Sequence, residues 1–176
     1  MFVGRKKELD ALNSRYTSNR KEFGVLYGRR RIGKSSILNE FLKGKNGILF
    51  QAKQDNSYGN LKSFSYEVDH LLDLPDTFVF ASWQHAFKSI QEYAKNERFV
   101  LVIDEYPYIV SQDSSFSSVL QEFIDHASDN MMVILSGSDI GFLQREIQNH
   151  ASPLYKRRTF EMEIKKMNFM DAKEFV

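Results

Sequence analysis

The sequence has no cysteine, very little proline and almost no net charge. Without cysteine the chain can form neither a disulfide nor a thiolate metal site, which is compatible with an intracellular protein but does not prove one. A formal net charge of +1 gives no overall case for nucleic-acid binding. Because no apolar run approaches the length of a membrane helix and no signal-peptide pattern follows the N-terminus, we expect a cytoplasmic protein without membrane contact.

The residues that are present are typical of one folded domain. Hydrophobic residues make up 42% of the chain and charged residues 27%, which argues against disorder. Five segments indicate strands. Four are mostly apolar runs at 23–27, 47–52, 98–103 and 131–135, and the fifth is an alternating run at 159–164 that is typical of an edge strand. Segments with helical periodicity separate them. This alternation predicts an α/β fold with a mostly parallel sheet covered by helices on both faces.

A phosphate-binding motif follows the first of these strands. Residues Gly28 to Ser35 read GRRRIGKS, which fits the pattern Gly, four free positions, Gly, Lys and Ser or Thr. The main-chain N–H groups of such a loop and the N-terminus of the next helix face an anion. We expect Lys34 to reach the β and γ phosphates and the Ser35 hydroxyl to ligate Mg²⁺. The predicted nucleotide-binding residues of this loop are Gly28, Arg29, Arg30, Arg31, Ile32, Gly33, Lys34, Ser35 and Ser36.

Two acidic residues, Asp104 and Glu105, close the third apolar run. An aspartate in this position holds Mg²⁺ in P-loop proteins, directly or through water. Adjacent residues at a strand end point to different sides, so Glu105 can face water near the γ phosphate as a general base. The alternative is that the two acids merely open a surface loop. After five apolar residues and downstream of a P-loop, the catalytic interpretation is favoured.

The sequence between and around these motifs indicates which class of P-loop protein this is and which nucleobase it binds. A strand–helix pattern at 47–94 separates the phosphate loop from Asp104, which with Glu105 favours an additional-strand ATPase over a kinase or GTPase. No Asn-Lys-x-Asp element for guanine is present, so adenine is the expected base. After the fourth strand, Ser136 and Ser138 either sense the γ phosphate and orient water or cap a helix that starts near Asp139. The sequence does not decide between these two roles.

Six short motifs occur along the chain in the order found in one protein family. They are Phe2-Val-Gly-Arg5, Glu8-Leu9, GRRRIGKS, Asp104-Glu-Tyr-Pro107, Ser136-Gly-Ser138 and Ser152-Pro-Leu-Tyr-Lys-Arg-Arg158. Together they resemble the archaeal-type ATPases of the AAA+/STAND group, ATP-binding proteins that often carry a C-terminal winged helix. The resemblance implies that Phe2, Val3, Gly4 and Arg5 border the adenine. Lys156 stands where this family usually has a glycine before the arginine, which leaves the conformation of the local turn open.

The arginines fall into two groups. Arg29, Arg30 and Arg31 crowd the phosphate loop, and we favour solvated charges over extra phosphate or nucleic-acid contacts. Arg157 and Arg158 precede the last strand, where the resemblance implies a finger or sensor arginine that neutralises transition-state charge. The predicted catalytic residues are therefore these two arginines together with Lys34, Glu105 and Ser138. Which of the two arginines acts is left open.

The sequence therefore predicts an ATPase core at residues 1–166, and the capped amphipathic pattern at 167–176 predicts the start of a linker helix to a C-terminal lid. The expected function is ATP binding and Mg²⁺-dependent hydrolysis that drives a conformational cycle, with low activity for the core alone. The alternative is a slowly hydrolysing ATP-dependent switch or scaffold that acts, by family analogy only, on DNA through further domains. ATP and ADP are the expected ligands, and a homo-oligomer is allowed. The sequence does not identify a client protein or nucleic acid.

Overall fold

A five-stranded parallel sheet forms the centre of the molecule in the computed structural model, which describes residues 4–167. The strands are β1 (Glu22–Tyr27), β2 (Gly47–Gln51), β3 (Phe99–Asp104), β4 (Met131–Gly137) and β5 (Phe160–Glu163). The helices are α1 (Lys6–Tyr16), α2 (Lys34–Leu42), α3 (Ser57–Leu72), α4 (Trp83–Tyr93), α5 (Pro107–Gln112), α6 (Phe116–His126) and α7 (Ile140–Gln148). All five predicted strands are confirmed, with shifts of one or two residues at most of their ends.

The strand order β2-β3-β4-β1-β5 places β4 between the strand of the phosphate loop and the strand of the acidic pair. This intervening strand confirms the predicted additional-strand arrangement, and β5 lies at the edge of the sheet as predicted. Because all the neighbouring strands are parallel, their carboxyl ends meet at one edge of the sheet. The ends of β1, β3 and β4 therefore bring the phosphate loop, Asp104 and Ser136 together.

Two hydrophobic layers cover the two faces of the sheet. On one face, an aromatic cluster joins β2 to α3, α4 and α6 through Phe50, Phe64, Trp83, Phe87 and Phe116. On the other face, α1 and α2 pack through a smaller set of buried residues that includes Leu12, Leu26, Ile37, Phe41 and Val102. Strands buried on both faces read as unbroken apolar runs, which is why β1 and β3 were predictable. The predicted two-sided helical cover is confirmed.

The structure adds two features that the patterns did not predict. Helix α5 has six residues and begins with Pro107 in its first position, where the missing N–H of proline costs nothing. Strand β4 continues beyond Leu135 to Gly137, so Ser136 belongs to the strand. Of the predicted features, Phe2, Val3 and all but the first residue of the linker helix at 167–176 lie outside the described residues. None of the helices in residues 4–167 is long and apolar enough to cross a membrane.

Candidate functional site

The phosphate loop connects β1 to α2, and its two glycines are required for different reasons. Gly33 precedes the first helical residue with φ 96°, in the left-handed region that favours glycine. Gly28 is needed for space, because a Cβ atom there would lie 2.5 Å from the main-chain oxygen of Ile164. The first N–H groups of α2, a helix of nine residues, are left free of intrahelical partners and face the loop. The local backbone is thus shaped for an anion.

Lys34 is held against this loop. Its side chain is only 6% exposed, and its Nζ donates to the main-chain oxygens of Gly28 at 2.8 Å and Arg29 at 3.0 Å. Burial lowers the pKa of the Lys34 ammonium, the carboxylates of Glu105 and Asp104 oppose that shift, and Arg30 adds to it. Both of these acceptors are main-chain oxygens, which the ammonium can exchange for the stronger charge-assisted hydrogen bonds that phosphate oxygens offer.

Asp104 is fully buried and accepts hydrogen bonds on both carboxylate oxygens. Oδ2 accepts from the Ser35 hydroxyl at 2.6 Å, while Oδ1 accepts from the Ser136 hydroxyl and from the main-chain N–H of Glu105 at 3.0 Å. Ser35 and Asp104 thus place a hydroxyl and a carboxylate side by side, and both are hard oxygen ligands that suit Mg²⁺. Within residues 4–167 no group of three or more His, Cys, Asp or Glu side chains could hold a metal ion.

Glu105 lies one residue beyond the end of β3, in a turn, and its side chain contacts a different partner from those of Asp104. Its backbone has φ 54°, and its half-buried carboxylate accepts from the Ser138 hydroxyl at 3.1 and 3.2 Å. Both serines of the fourth strand end therefore contact an acid of the pair. Helix α7 is capped instead by Asp139, whose side chain accepts from the N–H of Phe142 at 2.9 Å. Ser136 and Ser138 are therefore not the cap of α7, which was one of the two roles left open for them.

Three adjoining cavities surround the loop. One of about 400 Å³ lies over the P-loop and is lined by Lys34, Ser35, Glu105 and Tyr108. A second of about 510 Å³ lies on the other side of Glu105, beside Ser138 and Tyr108. A third of about 170 Å³ lies between Gly28, Ile32 and the chain that follows β5. Glu105 therefore faces open space where a nucleophilic water could stand.

The N-terminal box lies beside the phosphate loop as far as it is described. Arg5 donates to the main-chain oxygen of Ile32 at 3.0 Å and pairs with Glu8 at 2.9 Å. Gly4 and Arg5 both have positive φ, 77° and 63°, which turns the chain into α1. This placement brings Gly4 and Arg5, the described half of the predicted adenine-bordering segment, to the loop.

The loop arginines are exposed, which fits the favoured interpretation that their charges are solvated. Arg29, Arg30 and Arg31 all lie on the surface, and Arg31 has φ 60°. Arg30 donates to the hydroxyl of Tyr108 at 2.9 Å and so closes one side of the loop cavity. Ser36 follows on the exposed side of the first turn of α2.

Arg157 and Arg158 lie at the other end of β1. The N–H of Thr159 donates to the main-chain oxygen of Phe23, at the start of the strand, about 17 Å along it from the loop at a rise of about 3.3 Å per residue. Arg157 forms two hydrogen bonds with Asp125, at 2.8 and 2.9 Å, and Arg158 pairs with Glu161 at 3.0 Å. The contacts of the described residues thus keep both arginines away from the phosphate loop of their own chain. Lys156 has φ 59°, so the turn that a glycine would favour is present without one.

Sequence reasoning missed Tyr106 and Tyr108, which follow the acidic pair. Tyr108 lines both large cavities, and Tyr106 is fully buried behind Glu105. The available signal was that both tyrosines closely follow Asp104 and Glu105 in the sequence. Their roles could not be predicted because the residues that contact their hydroxyls are distant in sequence.

Comparison with known proteins agrees with this geometry. A family model described as an ATPase domain predominantly from Archaea matches residues 2–176. An uncharacterised protein of Methanocaldococcus jannaschii is 29% identical over 99% of this chain, which spans 38% of the length of that relative. An uncharacterised ATP-binding protein of the same organism is 44% identical over 26% of this chain and 76% of its own.

Solved structures show the same fold at low sequence identity. The Aeropyrum pernix Orc1 protein in complex with DNA superposes with a TM-score of 0.70 at 12% identity, over 99% of this chain and 48% of that protein. The Aeropyrum pernix Orc2 protein in ADPNP and ADP complexes gives 0.64 at 16% identity, over 91% and 47%. The fold is that of the P-loop AAA+ ATPases, and by its sequence the chain belongs to the family of ATPase domains found predominantly in Archaea.

Proposed function

We propose that this domain binds ATP with Mg²⁺ and hydrolyses it, and that the reaction drives a conformational cycle in a larger protein. The observation that carries the proposal is the different surroundings of two adjacent carboxylates. Asp104 is fully buried and hydrogen-bonded to Ser35, whereas Glu105 is half-buried and borders open cavities. One carboxylate is suited to holding a cation and the other to accepting a proton.

In this proposal the phosphate loop binds the triphosphate. The main-chain N–H groups from Gly28 to Ser36 cradle the phosphates, and Lys34 leaves the two main-chain oxygens of the loop to bridge the β and γ phosphates. Ser35 and Asp104 would hold Mg²⁺, which supplies charge neutralisation on the phosphate oxygens when bound. The Ser136 hydroxyl keeps the Asp104 carboxylate oriented toward Ser35.

Glu105 is proposed as the general base. It would accept a proton from the attacking water, and the Ser138 hydroxyl, which donates to it in this structure, would orient the carboxylate or contact the γ phosphate. The adenine is proposed to lie near the 170 Å³ cavity beside Gly28 and Ile32, which the chain after β5 also lines. The box of Phe2, Val3, Gly4 and Arg5 would border it from the N-terminal side.

Arg157 and Arg158 could reach a bound nucleotide only in a second molecule or after a large movement. Because Arg157 and Arg158 lie at the far end of β1 from the loop, a finger role for either is proposed to act on the nucleotide of a neighbouring copy. That role implies a homo-oligomer. The lid that residues 167–176 would lead to is proposed as a further determinant of turnover.

The direct test is Glu105→Gln, which keeps the shape of the side chain and removes the base. ATP affinity should stay near the wild-type value while phosphate release falls by about two to four decades. The matched control is Glu92→Gln, which removes the α4 carboxylate from an exposed ion pair with Lys95 and should leave turnover unchanged. Wild-type turnover in Glu105→Gln would show that the base lies elsewhere.

A slowly hydrolysing switch is the second candidate, and the Ser138–Glu105 hydrogen bond supports it. While the hydroxyl of Ser138 occupies that carboxylate, proton abstraction is disfavoured. The chain spans 38% of the length of one relative, so the output of such a switch would come from other domains. DNA is one candidate target, since the Orc1 neighbour was solved with DNA. Tight ATP binding with wild-type turnover no faster than that of Glu105→Gln would favour the switch.

A further inference from the structure

A buried phenol follows the proposed base directly. Tyr106 has no exposed surface, and its hydroxyl lies 2.6 Å from the Ser117 hydroxyl and donates to the Glu146 carboxylate at 2.8 Å. The Ser117 hydroxyl also lies 2.8 Å from the same carboxylate oxygen, so the three side chains form a triad in which the two hydroxyl protons serve two of the three short contacts at a time. Nucleotide binding as proposed above makes no use of this triad.

The backbone of Glu105 needs support from its neighbours. A non-glycine residue with φ 54° costs roughly 1–2 kcal/mol relative to the right-handed region, so the turn persists only where its flanks are fixed. On one flank, the N–H of Glu105 is bound by the Asp104 carboxylate. On the other, the N–H of Tyr106 donates to the main-chain oxygen of Ser136 at 3.1 Å, and the phenol is anchored in the triad. Removing the phenol's anchor would free one end of the turn.

The triad also fixes the distance between the turn and α7. Glu146 lies on α7, the helix that begins two residues after Ser138, and Ser117 lies on α6. Ser138, which donates to Glu105, lies in the short connection between β4 and α7. The turn is therefore joined to this connection through Ser138 and to α7 through Tyr106 and Glu146.

We propose that Tyr106 is a positioning residue for Glu105 and acts through its buried hydrogen bonds to Ser117 and Glu146. This inference rests on the proposed function, since it concerns the residue assigned there as the base. Tyr106 touches neither nucleotide nor water in this account. Its contribution is to hold the strained turn so that the Glu105 carboxylate stays between the loop cavity and Ser138.

The test is Tyr106→Phe in the full-length protein, compared with Ser65→Ala. Phenylalanine keeps the ring and its packing on Phe116, so only the hydroxyl is lost. Because a misplaced catalytic group costs up to about 100-fold, we expect kcat to fall by about 10- to 100-fold with Kd for ATP within about twofold of wild type. Ser65→Ala also deletes a buried, hydrogen-bonded hydroxyl, on α3, and should change neither constant.

A double-mutant comparison separates positioning from general loosening. If Tyr106 acts through Glu105, Tyr106→Phe should have little further effect on single-turnover hydrolysis in a Glu105→Gln background. Glu146→Gln, which keeps an acceptor oxygen, should retain more activity than Glu146→Ala. If Tyr106→Phe fails to fold, Ser117→Ala carries the same expectation.

Wild-type kcat in the Tyr106→Phe variant, or in Ser117→Ala if that substitute is needed, would overturn the inference. So would an equal loss with and without the Glu105 carboxylate. Full turnover in Glu105→Gln alone would instead refute the proposed base, so the two failures are distinguishable.

Discussion

The pairing of the edge strand β5 with β1 depends on the absence of a side chain at Gly24. Gly24 is the register partner of Phe160, and a Cβ atom built at Gly24 would overlap the end of the Phe160 ring. That ring is 9% exposed, so Gly24→Ala must either push it toward solvent or displace the strand. Expelling a buried Phe or overpacking such a site costs about 1–3 kcal/mol in each case. We expect the free energy of unfolding to fall by about 2–3 kcal/mol, and the Tm by about 4–12 °C.

Urea unfolding followed by the fluorescence of Trp83 measures this loss, because Trp83 is the single tryptophan and is buried. Gly141→Ala is the matched control, since Gly141 lies in the first turn of α7, where alanine should be neutral or stabilise by up to about 1 kcal/mol. The double variant Gly24→Ala with Phe160→Leu should be more stable than the sum of the two single losses predicts. Additive losses, or wild-type stability in Gly24→Ala, would refute the steric reasoning.

Two further predictions concern the nucleotide. Lys34→Ala should weaken ATP binding by at least about tenfold, because charge-assisted hydrogen bonds to phosphate contribute about 1.5–3 kcal/mol. Calorimetric titration with ATP and Mg²⁺ measures this affinity, and Lys43→Ala, which removes an exposed lysine, is the control. Unchanged ATP affinity in Lys34→Ala would contradict the P-loop assignment. Arg157→Ala and Arg158→Ala in the full-length protein should keep ATP affinity while one of them lowers turnover, by up to about a thousandfold for a finger arginine. Turnover per molecule should then rise with protein concentration. If Arg157 and Arg158 are ordinary surface charges, neither the loss of turnover nor this concentration dependence should appear.

Most of the fold was predictable because each local pattern agrees with the final packing. The residues of β1 and β3 are buried along their whole length, so their apolar runs are continuous and their strand character needs no knowledge of the neighbours. Strand β4 was predicted to end at Leu135 because Ser136 is polar. The Ser136 hydroxyl donates a hydrogen bond to Asp104 on the neighbouring strand, and this non-local partner allows a serine to be buried inside the sheet. Helix α5 has too few residues to show periodicity.

The site divides in the same way between local and distant determinants. The phosphate loop, Asp104 and Glu105 were predictable because their chemistry requires fixed residue types at fixed spacing along one or two segments. The anchoring of Tyr106 was not, because Ser117 and Glu146 lie 11 and 40 residues further along the chain. The ion pair of Arg157 with Asp125 joins residues 32 apart. Such contacts depend on topology, which the motifs do not encode.

The same contacts bear on which arginine could act on a neighbouring copy, a choice that the sequence left open. An arginine that reaches another molecule must first leave its own partners. Arg157 uses all three guanidinium nitrogens, two on Asp125 and one on the main-chain oxygen of Pro153 at 2.7 Å. Arg158 has one ion pair with Glu161 at 3.0 Å and one long hydrogen bond to Ile147 at 3.3 Å.

Release of Arg158 is therefore the less costly of the two, since a bidentate pair is lost with Arg157. Glu161 would keep the hydroxyl of Tyr27 as a donor at 2.5 Å after Arg158 left. We accordingly expect Arg158→Ala to be the variant that lowers turnover. Arg157→Ala should instead appear as a small loss of stability that grows weaker in high salt, because Asp125 and Arg157 are both partly exposed. The reverse assignment of the two effects would show that the strength of the partner contacts in one chain does not determine which arginine acts.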